Sequence, residues 1–256
     1  MTESQLIKNT NLPLVIAHRG GKRWSPENTL AGFKRSVEWG ADGIELDIHC
    51  CKTGELVVIH DDTLARTTSG TGYVKDSTWD YLSSLDIGSW YDPSFKSERI
   101  PLLQDVLDVV DGKLCINVEI KNCPGNYEGI DDRLLTLLES YPYPDKIMIS
   151  SFDHLVLKRI HDKTPTFKLA LLGDSVLFDL PNYAKPIGAT AWNPHFDCVR
   201  SDTVETAHRH GIEVNTWTLN SEEDWRRACE LGVDSIITDD PEGLRRFLSA
   251  WAEGQA

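Results

Sequence analysis

Val15–Asp61 reads VIAHRGGKRWSPENTLAGFKRSVEWGADGIELDIHCCKTGELVVIHD. Three polar signatures sit on three short apolar runs: His18-Arg19-Gly20-Gly21 after Val15–Ala17, Glu45-x-Asp47 inside Ile44–Ile48, and His60-Asp61 after Val57–Ile59. Between the first two, Leu30, Phe33 and Val37 fall at helical spacing. Asn28 stands where an N-cap would, and Gly40 follows Trp39 as a C-terminal glycine should. The spacing predicts a helix over Thr29–Trp39. In Gly43–His49, Ile44, Leu46 and Ile48 alternate with Glu45, Asp47 and His49, so a strand here carries its charged residues on one face. Thr53-Gly54 is a turn, and Leu56–His60 returns as a strand.

The same rhythm runs outward to the C-terminus. Main strands are predicted at Leu14–His18, Gly43–His49, Leu114–Lys121, Lys146–Ser150, Phe167–Leu172, Ala189–Trp192, Ile212–Leu219 and Val233–Thr238. Helices lie between them: Pro101–Val110 opened by its proline, Ile130–Ser140, one from an Asp153 cap to Asp162, Val176–Ala184, Asp202–His210, and Glu222–Leu231 capped by Ser221. A last helix spans Pro241–Trp251, with a tail expected to fray. Eight strands alternating with helices is the count of a (β/α)8 TIM barrel, which right-handed crossovers can close. The rival, a doubly wound open sheet, would favour a G-x-G-x-x-G turn after the first strand, and His18-Arg19-Gly20-Gly21 is not one. Residues 62–99 break the rhythm. They are too aromatic for a disordered linker and read as a small insertion after the second strand. The chain, 1–256, is thus expected to be a single barrel domain carrying that insertion.

Composition fits this reading. A length of 256 residues suits one barrel, and 40% hydrophobic with 26% charged residues is ordinary for a globular protein. The formal net charge of −14 argues against nucleic acid or an anionic membrane as partner, because both need basic surface. The N-terminal MTESQLIKNTNLP lacks a basic stretch followed by an apolar one, and no apolar run approaches the ~20 residues of a membrane span. The six cysteines show no Cys-x-x-Cys pairs and are expected to be reduced thiols. A cytoplasmic protein without a membrane anchor is expected; oligomeric state is left open, a homo-oligomer included.

Active sites of such barrels lie at the C-terminal ends of the strands. That rule gathers His18, Arg19, Glu45, Asp47, Glu119, Lys121 and Trp217 at one mouth, with His60 on the return strand. Glu45, Asp47 and Glu119 would be three converging carboxylates. Bare, they would repel and raise one another's pKa; an oxygen-only ligand set suits one hard divalent cation, Mg²⁺ or Ca²⁺. The plain alternative is a solvated strand face paired with Lys or Arg. Arg19 and Lys121 would offer fixed charge to phosphate oxygens, against the default of surface basicity. His18 and His60 are the acid–base candidates, whereas His49, His154, His161, His195, His208 and His210 read as hydrogen-bonded core or loop residues. Trp217 could line a glycerol-like group or simply pack. Gly20 and Gly21 allow close approach of a ligand or form a plain turn.

Together HRGGKRWSPENT, ELDIH, HDDTLART, NVEIK, ISSFD, NTWTLN and IITDDP resemble the glycerophosphodiester phosphodiesterase family, over about Val15–Leu248. The resemblance implies a (β/α)8 barrel with a small insertion. It further implies His18 and His60 as the acid–base pair, Arg19 and Lys121 on phosphate, and Glu45, Asp47 and Glu119 on one divalent cation. Trp217 would lie on the glycerol side, and Glu27 and Asn28 would brace the first loop. The expected reaction is metal-dependent hydrolysis of a small-molecule glycerophosphodiester to sn-glycerol 3-phosphate and an alcohol, through a cyclic phosphate or by direct attack of water. Two rivals share the chemistry: a lysophospholipase D, which would need a membrane-facing apolar segment, and a phosphatidylinositol phospholipase C, which often has arginine in place of metal. A non-catalytic ligand-binding barrel is the rival of another class, and the intact set of histidines and acids speaks against it.

Overall fold

A computed structural model describes residues 12–123 and 125–255. The stretch read for a leader lies outside these residues except for Leu12 and Pro13. Eight parallel strands close into a barrel: β1 (Leu14–Ala17), β2 (Gly43–Cys50), β4 (Cys115–Ile120), β5 (Ile147–Ser151), β6 (Lys168–Gly173), β7 (Ala191–Pro194), β8 (Glu213–Thr216) and β9 (Ser235–Thr238). Closure is made by β1, which pairs with β9 on one side and β2 on the other. The fold is the expected TIM barrel. β3 (Leu56–Val58) is an antiparallel appendage on the upper half of β2, above the level where β1 ends.

Alternation along the strands sorts the side chains. Val15, Ile44, Leu46, Ile48, Ile116, Val118, Ile149, Leu171 and Ile236 are buried in one core cluster with residues of the outer helices. The opposite face points into the barrel and is unusually polar. There Ser235 Oγ donates to Asn215 Oδ1 (2.6 Å) and Asn215 Nδ2 to Asn193 Oδ1 (3.0 Å). These buried groups are tolerated because they satisfy one another.

The helices are α1 (Leu30–Trp39), α2 (Trp79–Leu82), α3 (Leu103–Val110), α4 (Ile130–Leu138), α5 (His154–Lys163), α6 (Leu180–Ala184), α7 (Ser201–Arg209), α8 (Glu222–Leu231) and α9 (Pro241–Gln255). Several start signals hold. Asp153 accepts from the backbone N–H of Leu155 and Val156, and Ser221 from that of Asp224. Four expectations are corrected. The cap of α1 is Thr29, whose Oγ1 accepts from Gly32 N (3.3 Å); Asn28 has φ +56° and its amide is used elsewhere. α3 starts at Leu103, since the extended Leu102 is its N-cap. α6 is only its last five residues, opened by Pro181. α9 runs on to Gln255, beyond the expected fraying point.

The 62–99 insertion carries its own small core. Leu64, Val74, Leu82, Leu85 and Ile87 pack with Val57, Ile59 and Ile100, so it is seated on the β3 arm. All six cysteines are free thiols. No helix among the described residues is long and apolar enough to cross a membrane.

Because Thr29 supplies the α1 cap, Thr29→Ala should lower stability by about 0.5–2 kcal/mol, read as a lower urea midpoint. An unchanged midpoint would contradict the assignment.

Candidate active site

Strand register brings the acids together. β2 and β4 pair with Asp47 beside Glu119 and with Glu45 one level below, beside Asn117. All three carboxylates face inward and are buried, and one oxygen from each lies within 4.8 Å of the others. Burial, then the neighbouring Asp47, pushes Glu119 up to about 7. Burial, then Asp47 and Glu119, raises Glu45 well above the usual carboxylate range. Asp47 alone is held below its ordinary value: burial opposes ionisation, but Arg19 and Lys121 outweigh it. Its Oδ2 accepts from Asn28 Nδ2 (2.8 Å), whereas its buried Oδ1 has no hydrogen-bond partner.

Two basic groups border the acids. Arg19 has a left-handed backbone (φ +51°), a conformation that costs an L side chain free energy. Its N–H donates to Glu45 Oε2 (3.0 Å), and its carbonyl accepts from Asn28 N (2.9 Å). The guanidinium donates to Glu27 (2.8 Å) and passes Asp47 at 3.4 Å. Lys121, one residue past β4, donates to Glu119 (2.8 Å) and lies 3.6 Å from Asp47. Gly21 is required by a protein contact: a Cβ there would meet the Trp24 ring at 2.4 Å, and Trp24 Nε1 donates to Gly20 O.

Each candidate histidine is oriented by an aspartate. His18, directly after β1, meets Asp239 through Nδ1 (2.6 Å), leaving Nε2 turned toward Glu45 at 3.9 Å. His60 meets Asp61 through Nδ1 (2.7 Å) and Lys121 Nζ through Nε2 (3.3 Å). Burial lowers the pKa of both imidazoles, against the aspartates' upward pull at His18 and that of Asp47 at His60. Asp61 is itself gripped by Arg66 (2.7 and 2.9 Å), which also forks onto Glu27 (2.7 and 2.9 Å). Glu27 therefore joins Arg19 to the arginine that steadies the His60 partner. The His60 backbone is fixed as well, since His49 Nε2 meets its carbonyl (3.0 Å) while His49 Nδ1 meets Tyr127 Oη (2.6 Å). His49 is thus the buried structural residue the sequence suggests.

Trp217 lies just beyond β8, not within it. Its Nε1 donates to Asn193 O (2.8 Å), and its ring meets Phe152 and His195 edge-on. His18 and Arg19 follow β1, Lys121 follows β4, His60 follows β3 and Trp217 follows β8, and Glu119 is next to last in β4; Glu45 and Asp47 instead lie within β2, at levels that reach the mouth because β2 runs on past the end of β1. Asp239, Arg66 and Phe152 had no role assigned from sequence. Asp239 and Phe152 could have been found by the strand-end rule, since they directly follow β9 and β5; Arg66 depends on loop conformation.

Comparison with known proteins gives the family and the fold. The Glycerophosphoryl diester phosphodiesterase family matches residues 18–243. A glycerophosphodiester phosphodiesterase of Caldanaerobacter subterraneus subsp. tengcongensis is 41% identical over 90% of this chain and 96% of its own length. An Oleispira antarctica phosphodiesterase solved with the product sn-glycerol-3-phosphate has a TM-score of 0.88 at 26% identity, covering 93% of this chain and 97% of that one. A glycerophosphodiester phosphodiesterase structure from Agrobacterium tumefaciens has a TM-score of 0.79 at 27% identity, covering 93% and 100%.

The raised carboxylates carry a sign. In protein stripped of divalent ions, folded Glu119 holds its proton to about pH 7, whereas the unfolded chain releases it near 4.5. The contribution of Glu119 is thus fully present below about pH 4.5 and is lost as pH rises through about 7. The depressed histidines act oppositely up to about 6.5, so the comparison is with Glu119→Gln. Urea unfolding in EDTA should show the parent losing stability relative to this variant between about pH 5 and 8; parallel curves would contradict the shift.

Proposed function

The chain belongs to the glycerophosphoryl diester phosphodiesterase family, and we propose that it hydrolyses glycerophosphodiesters to sn-glycerol 3-phosphate and an alcohol, using His18 and His60 as acid–base pair and one divalent cation at Glu45, Asp47 and Glu119. The observation that carries this reading is the pairing of two aspartate-held imidazoles with a three-carboxylate nest.

The nest fits a cation. Three buried acids are incompletely balanced by Arg19 and Lys121, two of them resist ionisation, and Asp47 Oδ1 has no partner. Oxygen-only donors suit Mg²⁺ or Ca²⁺. When bound, such an ion neutralises the nest and acts as a Lewis acid toward a phosphoryl oxygen.

The chain's own residues supply the rest. Arg19 and Lys121 hold the phosphate oxygens; the buried Arg19 Nε has no hydrogen-bond partner of its own and faces Asp47 Oδ2 at 3.4 Å. Burial keeps the His18 imidazole neutral, so Nε2 can take a proton from the attacking oxygen while Asp239 holds Nδ1–H. His60 gives a proton to the leaving alcohol. Its side chain is the more exposed of the two, 30% against 13%, which suits the side where alcohols of different kinds must leave. The negative charge of a bound diester favours the protonated imidazole this role needs. Trp217 borders the glycerol side.

Activity on glycerophosphocholine should vanish in EDTA and return with Mg²⁺ or Ca²⁺. His18→Ala and His60→Ala should each lower kcat by roughly 10² to 10⁴, and Glu45→Ala should instead weaken metal binding, so that more Mg²⁺ or Ca²⁺ is needed for half-maximal activity. Full activity in EDTA, or unaffected histidine variants, would refute the mechanism. Asp239→Asn removes a charge that raises the His18 pKa. The acid limb of its kcat/KM profile should therefore move to lower pH; an unmoved limb would separate Asp239 from catalysis.

A further inference from the structure

Beside His60 and Lys121 the mouth opens into a cleft of about 530 Å³. Two aromatic rings line it. Tyr73 is 53% exposed and Phe152 is 36% exposed, although both border a polar site. The backbone that carries Tyr73 is tied down, and the Phe152 ring packs on a neighbour. Tyr73 is bridged to Thr63, and its flanks are tied by Leu64 N to Gly72 O (3.0 Å) and Val74 N to Asp62 O (2.9 Å). Leu64 and Val74 are anchored in the core of the insertion. Phe152 follows β5 directly and is held edge-on by Trp217 at 5.8 Å.

Of the carboxylates that line the cleft, Asp61 is paired with Arg66 and Glu119 with Lys121, which leaves Asp62. Its carboxylate is about half exposed and has no Lys or Arg partner within 4 Å among the described residues; its neighbour is His49 at 3.7 Å. Lys121 also lines the cleft, but its ammonium points to Glu119 (2.8 Å) and Asp47 (3.6 Å), and in the proposed reaction it is engaged by the phosphate. An aromatic face attracts a cation, and a quaternary ammonium suits it best because it has no N–H to satisfy. A glycerol leaving group gains nothing from the ring faces and would rely for its hydrogen bonds on Asp62, Thr63 and the Tyr73 hydroxyl.

We infer that this cleft is the leaving-group subsite and that Tyr73, Phe152 and Asp62 select a diester whose alcohol bears a quaternary ammonium, of the choline type. The inference rests on the reading of His60 as the residue that protonates the leaving alcohol. It gives the insertion a function: its rigid core presents Tyr73 to the departing group.

The test is the ratio of kcat/KM for glycerophosphocholine to that for glycerophosphoglycerol, with glycerophosphoethanolamine as a third substrate. The parent should prefer choline, then ethanolamine, then glycerol. Tyr73→Leu and Phe152→Leu should each lower the choline-to-glycerol ratio by roughly 3- to 30-fold, the span of a cation–π contact; Asp62→Asn, which removes the facing charge, should lower it too, and Tyr73→Phe should keep it. A ratio unchanged in all three variants, or a parent that prefers ethanolamine or glycerol, would overturn the subsite while leaving the diesterase reading intact. Failure to cleave any of the diesters in the presence of Mg²⁺ or Ca²⁺ would overturn both.

Discussion

Repulsion among Glu45, Asp47 and Glu119 is the constraint on which the site depends. Parallel register puts Asp47 and Glu119 on neighbouring strands at one level, and the alternation of β2 brings Glu45 to the same face. Nothing local would hold three buried carboxylates together, because each disfavours ionisation of the next. The barrel imposes the arrangement through backbone pairing, and apolar Ile44, Leu46 and Ile48 on the reverse face lock β2 in place. Arg19 and Lys121 relieve Asp47 most. The other two remain poorly compensated, and that deficit is what a divalent cation would meet.

A second layer of ion pairs aims the side chains around this nest. Asp239 orients His18 from the end of β9, on the far side of the closure between β9 and β1. Asp61 orients His60 and is braced by Arg66, which shares Glu27 with Arg19. One buried glutamate thus links Arg19 to the histidine on the β3 arm. The consequence is mechanical: a change at Glu27 would disturb both sides of the mouth without touching a substrate.

Much of this was legible in the sequence because it follows from period and strand ends. Alternation in Gly43–His49 gave the inward acids, and eight apolar runs gave the barrel. What escaped depends on conformation that residue type does not announce. Asn28 looks like a helix cap, yet its left-handed backbone and its bond to Asp47 leave that task to Thr29. Trp217 reads as part of a strand, yet β8 stops at Thr216 and the indole turns to Asn193. The partners of the histidines arrive across long separations, Asp239 being 221 residues from His18. Tyr73 owes its place to backbone bonds inside an insertion whose pattern has neither period.

Isothermal titration calorimetry of metal-stripped protein with Mg²⁺ and with Ca²⁺, at pH 7 in two buffers of different ionisation enthalpy, tests the central claim most directly. If the nest holds a proton because it lacks a cation, binding must expel that proton. The apparent enthalpy should then differ between buffers, and Glu119→Gln should bind more weakly and release fewer protons. Binding without proton release, or binding indifferent to Glu119, would contradict the account.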